Sequence, residues 1–307
     1  MPKAYVFTRY GGPETEALAD VGRPRPGAGE VLVAVRAAGV NPVDWKLREG
    51  LRRPGEDEHE FPAVFGSEVS GVVEEVGEGV TAIAAGDEVF GNTVGGGYAE
   101  YALLPTEVAA HKPGALSFTD AATLPVAAAT AYDGLRQLDL PAGATLLVTG
   151  AGGGVGAAVL QIARSFGVRV VGVASEGKKN FVESLGAVHV ASGGDLADRV
   201  RAAAPDGIDA VYDLVGGDVL TEVAGLLADR TKLITAGAPP QEAARLGGAR
   251  VVRVRTAAVL DAVAQLVLTG ALDPHVTRTY PLEQAAAALR AVEDGHTQGK
   301  IVIEVAR

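Results

Sequence analysis

The hydrophobic pattern along the chain has two styles. In the first third, short apolar runs alternate with polar positions and are punctuated by glycine and proline. Residues 30–36 place Val31, Val33 and Val35 on one side of a strand. Residues 69–76, 87–90 and 97–104 (GYAEYALL) read as further strands. Turn signals separate them at 11–13, 24–29, 77–79 and 95–97. Short strands at such spacing predict a barrel-like β domain. Ser117-x-x-Asp120 then resembles a helix start. The helical pattern from there to about Leu138 carries Pro125, which predicts a break or kink.

From Thr145 the style changes. Residues 145–149 (TLLVT) form a short branched apolar run, 150–156 supply almost no side chain, and 157–163 are helix formers with apolar spacing. Strand, glycine turn, helix is the context of a dinucleotide fingerprint. The matching residues are Ala151-x-Gly153-x-x-Gly156, with Ala151 in place of the first glycine. Ala151, Gly153, Gly154, Val155 and Gly156 are therefore expected to bind a cofactor. Such glycines let the backbone approach a pyrophosphate, and the helix start offers free N–H groups to the anion. The alternative is a tight strand-to-helix turn with no ligand. Further strands are predicted at 168–174, 188–191, 208–214, 232–235 and 251–255, with helices at 195–204 and 219–228. Alternating strands and helices imply a parallel sheet covered on both faces, and six strands fit the doubly wound α/β fold.

The end of the second of these strands bears on cofactor choice. An acid about 20 residues past the loop would grip the ribose hydroxyl of NAD. Here Ser175 is followed by Glu176, Gly177, Lys178 and Lys179. A small hydroxyl with nearby ammonium groups suits a 2′-phosphate, so Ser175 and Lys178 point to NADPH (NADP). Glu176 is the counter-argument, and a solvated helix start is the plain alternative for the lysines.

After a helix at 257–268, the tail returns to the first style. It has a strand beginning VTRTY, a helix from about Leu282 and a final strand at 300–305. This predicts a discontinuous β domain, 1–117 with 273–307, around a nucleotide-binding domain, 118–272. The crevice between two such domains is the expected active site.

Composition narrows the function classes. The length of 307 residues suits two domains. With no cysteine, disulfides, thiolate catalysis and cysteine-based zinc sites are excluded. A net charge of -11 argues against nucleic acid as the partner. No apolar run spans a bilayer and no basic-plus-apolar leader opens the chain, so a cytoplasmic protein without membrane contact is expected.

Six stretches together carry a resemblance: RPRPGAGEVLVAVRAAGVNPVDWKLREG, FPAVFGSEVSGVVEEVGEGVTAIAAGDEVFG, GGYAEYALLP, AATLPVAAATAY, VTGAGGGVGAAVLQIAR and RTYPLEQAAAALRAVEDGHTQGKIVIEV. In this order they resemble the zinc-independent, zeta-crystallin-like quinone oxidoreductase branch of the medium-chain dehydrogenase/reductase superfamily. The resemblance implies a GroES-like β domain plus a Rossmann domain. It also implies that Asn41 and Asp44 line the cleft near the nicotinamide, that Thr130 matches a position at the nicotinamide end, and that Gly237 lies near the cofactor. A turn residue before Pro42 is the plain alternative for Asn41, and a helix-interior threonine that for Thr130. In zinc-dependent relatives the Asn41 position is a cysteine ligand and the Ser67 position a histidine ligand. Asparagine and serine are poor zinc ligands. Without a Lewis acid, alcohol oxidation loses its means of ionising the hydroxyl. Quinones and conjugated enones accept hydride without that help.

The chain departs from the better-known quinone reductases after NPVD. Lys46 and Arg52 stand near Trp45 where tyrosines are usual, which leaves the exact substrate open. Glu56-Asp57-Glu58-His59-Glu60 reads as a solvated loop, not a metal cluster. His111, His189, His275 and His296 have no metal-like spacing. Arg250, Arg253 and Arg255 make the sixth strand basic, either an edge protected by charge or a dimer contact. The family often pairs such edges, so a homodimer is expected. The expected activity is hydride transfer from NADPH to a quinone or an α,β-unsaturated carbonyl compound. A non-catalytic NADPH-binding protein, sensor or structural, is the alternative.

Overall fold

The computed structural model describes residues 1–51, 60–295 and 297–306. Arg52, Glu56, Asp57, Glu58, His59 and His296 lie outside the described residues. The chain opens with β1 (Lys3–Phe7), β2 (Glu16–Asp20), β3 (Glu30–Val40), helix α1 (Pro42–Arg48), β4 (Ala63–Val64), β5 (Glu68–Val76), β6 (Glu88–Asn92), β7 (Tyr101–Pro105) and β8 (Ala109–His111). Helix α2 (Phe118–Ala121), a π-helical turn at Leu124–Ala128 and α3 (Ala129–Leu138) follow. Ser117 caps α2 by accepting from Asp120 N at 3.0 Å. The expected break at Pro125 takes the form of the π turn.

Next come β9 (Thr145–Thr149), α4 (Gly154–Ser165), β10 (Arg169–Ala174), α5 (Lys179–Ser184), β11 (Val188–Ala191), α6 (Leu196–Ala203), β12 (Ala210–Asp213), α7 (Gly217–Ala224), β13 (Leu233–Thr235), α8 (Pro240–Arg245) and β14 (Ala249–Arg250). The chain closes with α9 (Ala257–Leu268), β15 (Val276–Pro281), α10 (Ala285–Glu293) and β16 (Lys300–Glu304).

Two compact units result. The first comprises Met1–Val126, Arg255–Leu268 and His275–Arg307; the second comprises Ala127–Val254 and Thr269–Pro274. The pattern placed α9 with the nucleotide-binding domain. The structure groups it with the first unit, where it packs on β8 and buries Leu260, Val263 and Ala264.

In the first unit β1 lies between β2 and β4, and a larger sheet runs β15-β16-β3-β5-β6-β8, with β7 also on β3. Strand β3 is longer than expected and is buried on both faces. Val31, Val33 and Val35 enter the main core, while Ala37 packs with Ala122 and Val302 on the other side. Small residues on that second face are what allow it to be covered. Arg48, at the end of α1, is fully buried. It bonds Glu16, donates to Glu293 Oε1 at 2.8 Å and donates to Gly11 O at 3.0 Å. This clasp fixes α1, and with it the segment that starts at Asn41.

In the second unit the sheet order is β11-β10-β9-β12-β13-β14, all parallel. Taking β9 as first, this is 3-2-1-4-5-6, the doubly wound dinucleotide-binding order. The expected sixth strand at 251–255 is corrected to Ala249–Arg250. Beyond it, side chains of α3 take the backbone groups that a longer strand would use. Gln137 donates to Arg250 O and accepts from Val252 N, and Asp133 accepts from Val254 N. Arg253 turns inward to Asp133 Oδ2 at 3.2 Å, so it is not a surface charge guarding an edge.

Candidate functional site

Two groups of residues carry the candidate chemistry, one in each unit. The first forms where β3 runs into α1. Pro42 suits the first helical position, which needs no N–H. Asp44 then folds back and accepts from Asn41 N through Oδ2 at 2.9 Å. The Asn41 side chain engages two other elements. Its Nδ2 donates to Glu68 Oε1 at 2.7 Å, and its Oδ1 accepts from Lys300 Nζ at 2.7 Å. Lys300 Nζ also donates to Glu68 Oε1 at 2.9 Å and to Val40 O at 3.1 Å. The second oxygen of Glu68 accepts from Val126 N at 2.7 Å, in the turn where Pro125 offers no N–H.

Asp44 is held from three sides. Besides Asn41 N, it accepts from Tyr98 Oη at 2.7 Å and from Ser67 Oγ at 2.8 Å. None of Asn41, Asp44, Ser67, Glu68, Tyr98 and Lys300 is more than 7% exposed. Burial pushes the Asp44 carboxyl above its ordinary pKa, while its three donors act in the opposite sense. The Tyr98 hydroxyl is pushed well up by burial and by the adjacent Asp44.

The second group surrounds the turn after β9. Gly153 stands at the N-cap of α4, and the first helical hydrogen bond runs from Ala157 N to Gly153 O at 2.8 Å. The preceding N–H groups, of Gly154, Val155 and Gly156, have no intrahelical partner. A Cβ on Gly156 would stand 2.3 Å from Gly150 O, so only glycine allows the helix this close to the strand end. Ala151 is fully buried and its N donates to Val173 O at 3.0 Å, which ties the turn to β10.

Ser175, at the end of β10, and Glu176 are exposed. Lys178 lies along the glycine turn, its Cδ 2.4 Å from where a Cβ on Gly152 would be. This partial burial lowers its pKa. Gly237 follows β13 and donates through N to Thr235 Oγ1 at 3.0 Å. Asp213, which the sequence did not single out, joins three strand ends. It accepts from Thr149 Oγ1 and Thr235 Oγ1, each at 2.6 Å, and from Gly216 N at 3.0 Å. Thr130 is built into a clamp: its hydroxyl accepts from Arg253 Nη1 at 2.6 Å and its carbonyl from Tyr212 Oη at 2.6 Å.

The structure thus brings Asn41 and Asp44 together, and gathers Ala151, Gly153, Gly154, Val155, Gly156 and Lys178 around one turn. Sequence reasoning missed Glu68, Tyr98 and Lys300. The available signal was a charged residue at the first position of a strand and directly before buried residues, at Glu68 in β5 and at Lys300 in β16. Among the described residues no helix is long and apolar enough to cross a membrane.

Comparison with known proteins agrees with both units. Residues 27–114 match the family described as alcohol dehydrogenase GroES-like domain, and residues 185–303 match zinc-binding dehydrogenase. The chain is 33% identical to a 2-methylene-furan-3-one reductase of Solanum lycopersicum, over 98% of this chain and 78% of that one. It is 32% identical to a quinone oxidoreductase of Homo sapiens, over 98% and 97% of the two chains. The solved quinone oxidoreductase from Coxiella burnetii superposes with a TM-score of 0.90 at 29% identity, covering 99% of each chain. A mycobacterial protein solved with NADPH superposes with a TM-score of 0.87 at 31% identity, over 99% of this chain and 100% of that one. The chain therefore belongs to the medium-chain dehydrogenase/reductase superfamily, in its quinone oxidoreductase branch, an oxidoreductase family that works with pyridine nucleotides.

Proposed function

We propose that this oxidoreductase uses NADPH to reduce quinones or α,β-unsaturated carbonyl compounds, and does so without zinc. The observation that carries the reading is the donor set at Asn41 and Ser67. Both oxygen and nitrogen of the Asn41 amide are engaged, one by an ammonium and one by a carboxylate. The Ser67 hydroxyl donates to Asp44. Zinc prefers thiolate, imidazole and carboxylate. An amide already bonded to a cation and a hydroxyl that is donating do not fit it, although one matching family is named for zinc.

The residues of the second unit do fit a dinucleotide. The unpaired N–H groups of Gly154, Val155 and Gly156 suit a pyrophosphate, which a helix N-terminus also favours through its dipole. Ser175 and Lys178 supply a hydroxyl and an ammonium for a 2′-phosphate. Asp213 holds the ends of three strands and so positions the loops that follow them, including Gly237. A nicotinamide dinucleotide held by these residues would supply a hydride for an electron-poor carbon. The task left to the protein is to orient the two reactants and exclude water. Asn41, its orientation set by Glu68 and Lys300, is the residue proposed to meet the substrate or nicotinamide amide. Asp44 positions Asn41 through its backbone. The named activities of the tomato and human relatives, an enone-type reductase and a quinone oxidoreductase, support this substrate class.

The test is NADPH oxidation by purified, chelator-treated protein, with a small quinone and a conjugated ketone in parallel and NADH as control. Turnover with NADPH on either acceptor is expected. NADPH binding without turnover on any acceptor would replace the reading with a non-catalytic NADPH-binding role. Activity that returns only with added zinc would overturn zinc independence.

A further inference from the structure

The polar cluster of the first unit has a cation at its centre. Lys300 Nζ is ringed by three oxygens: Asn41 Oδ1 at 2.7 Å, Glu68 Oε1 at 2.9 Å and Val40 O at 3.1 Å. The Lys300 side chain is 4% exposed and that of Glu68 is not exposed at all. An amide oxygen, a carboxylate oxygen and a backbone carbonyl around a positive charge are the ligand types of a hard cation site. The backbone is shaped to leave room for it. A Cβ on Gly39 would stand 2.2 Å from Glu68 Oε1 and 2.4 Å from Ala122 O, so the carboxylate occupies space that only glycine leaves open.

The cluster also fixes the chemistry of Asn41. A lysine ammonium can only donate and a carboxylate can only accept. The amide oxygen must therefore face Lys300 and the amide nitrogen must face Glu68, and the orientation of the carboxamide is set by its neighbours. Exchange of either neighbour for a neutral group would free the amide to turn.

We propose that Lys300 is the resident cation of this site, a built-in ammonium that fills an oxygen-lined cation position beside Asn41 and thereby keeps divalent metal out. This deepens the zinc-free reading above and rests on it. A dication entering next to Lys300 would meet an ammonium within bonding distance of all three of these oxygens. With Lys300 shortened, the same three oxygens remain and the Glu68 carboxylate loses the ammonium that balances its charge.

The experiment is metal binding, which needs no turnover. Manganese(II) is titrated into wild-type protein, Lys300→Ala, Lys300→Met and the double variant Lys300→Ala/Glu68→Gln, with free ion followed by its EPR signal. Wild type and Lys300→Met, whose side chain still fills the space, are expected to bind no manganese at the site. Lys300→Ala is expected to bind one ion at least tenfold more tightly than wild type, and to melt several degrees higher with the ion than without. Glu68→Gln in the same background should abolish the gain. If Lys300→Ala is unfolded in metal-free buffer, recovery of its native circular dichroism on adding manganese supports the proposal, and failure to recover overturns it. A folded Lys300→Ala that binds no more metal than wild type also overturns it, and leaves the reductase reading standing. Stoichiometric zinc in the wild-type protein would instead sink both.

Discussion

The two candidate groups are built in opposite ways. The turn after β9 offers backbone: glycines, unpaired N–H groups and a helix start, with Lys178 laid along it. The cluster beside α1 is built mainly from side chains, each buried and each already bonded to another group. The first can receive an anion without rearrangement because its donors are free and fixed. The second is closed on itself, and its order is its product: one amide held in one orientation. The proposed function, binding a large charged cofactor and steering a small neutral acceptor, calls for both kinds of construction. They should also fail differently. Damage to the cluster should be felt in folding, and damage to the turn in cofactor binding.

Glu68→Ala should break the comparison hardest. It leaves the Lys300 ammonium buried without its counter-charge and removes the acceptor for Val126 N. Breaking one partner of a buried pair costs about 3–5 kcal/mol, which urea denaturation would read directly. A loss below about 1 kcal/mol would mean that water reaches the cluster and that its closed character is wrong. Gly156→Ala comes next and acts on the turn. Its new Cβ would press on Gly150 O and on Ala151 Cα at 2.7 Å, backbone atoms that cannot step aside. Overpacking of this kind costs about 1–3 kcal/mol. Much of it should appear as weaker NADPH binding, because the helix start moves away from the strand end. Fluorescence titration checks this, and unchanged affinity would separate the turn from the cofactor.

The same contrast decides what the sequence could disclose. A backbone site is written in consecutive residues, so the turn from Gly150 to Gly156 and the strands β9 and β11 were legible with their bounds. The cluster is assembled across the chain. Lys300 and Asn41 lie 259 positions apart, and the charge that opens GKIVIEV does not say which distant residue it meets. Helix α1 was hidden for a different reason. Asn-Pro favours a turn as well as a helix start, and only the returning bond from Asp44 decides between them. The stretch VVRVR has the alternation of a strand. It stops short because Gln137 and Asp133, far away in sequence, satisfy its backbone first.

Lys178→Ala sharpens the comparison on the cofactor side. Loss of one bond to a charged group costs about 1.5–3 kcal/mol, and a half-exposed lysine belongs at the lower end. The KM for NADPH should rise about tenfold while that for NADH stays unchanged. Equal change for both nucleotides would assign Lys178 to packing on Gly152 and not to the 2′-phosphate.

Asp44→Asn has the smallest expected effect and the most particular signature. Burial raises the folded pKa of Asp44 above its ordinary value of 3.8. The folded state therefore holds a proton that the unfolded state has released in the interval between the two values. Where the unfolded chain binds fewer protons, stability falls as pH rises. The contribution of Asp44 is thus most favourable below its unfolded pKa, and it declines as pH climbs from there through the raised folded value. Asparagine does not titrate, so the variant lacks this decline. The difference in unfolding free energy between wild type and Asp44→Asn, followed from acid to neutral pH, should shift steadily in the variant's favour. It should then flatten once Asp44 is ionised in both states. A difference that moved the other way would mean that Tyr98, Ser67 and the Asn41 amide outweigh burial. The cluster would then be tuned to hold a carboxylate as firmly as it holds the ammonium of Lys300.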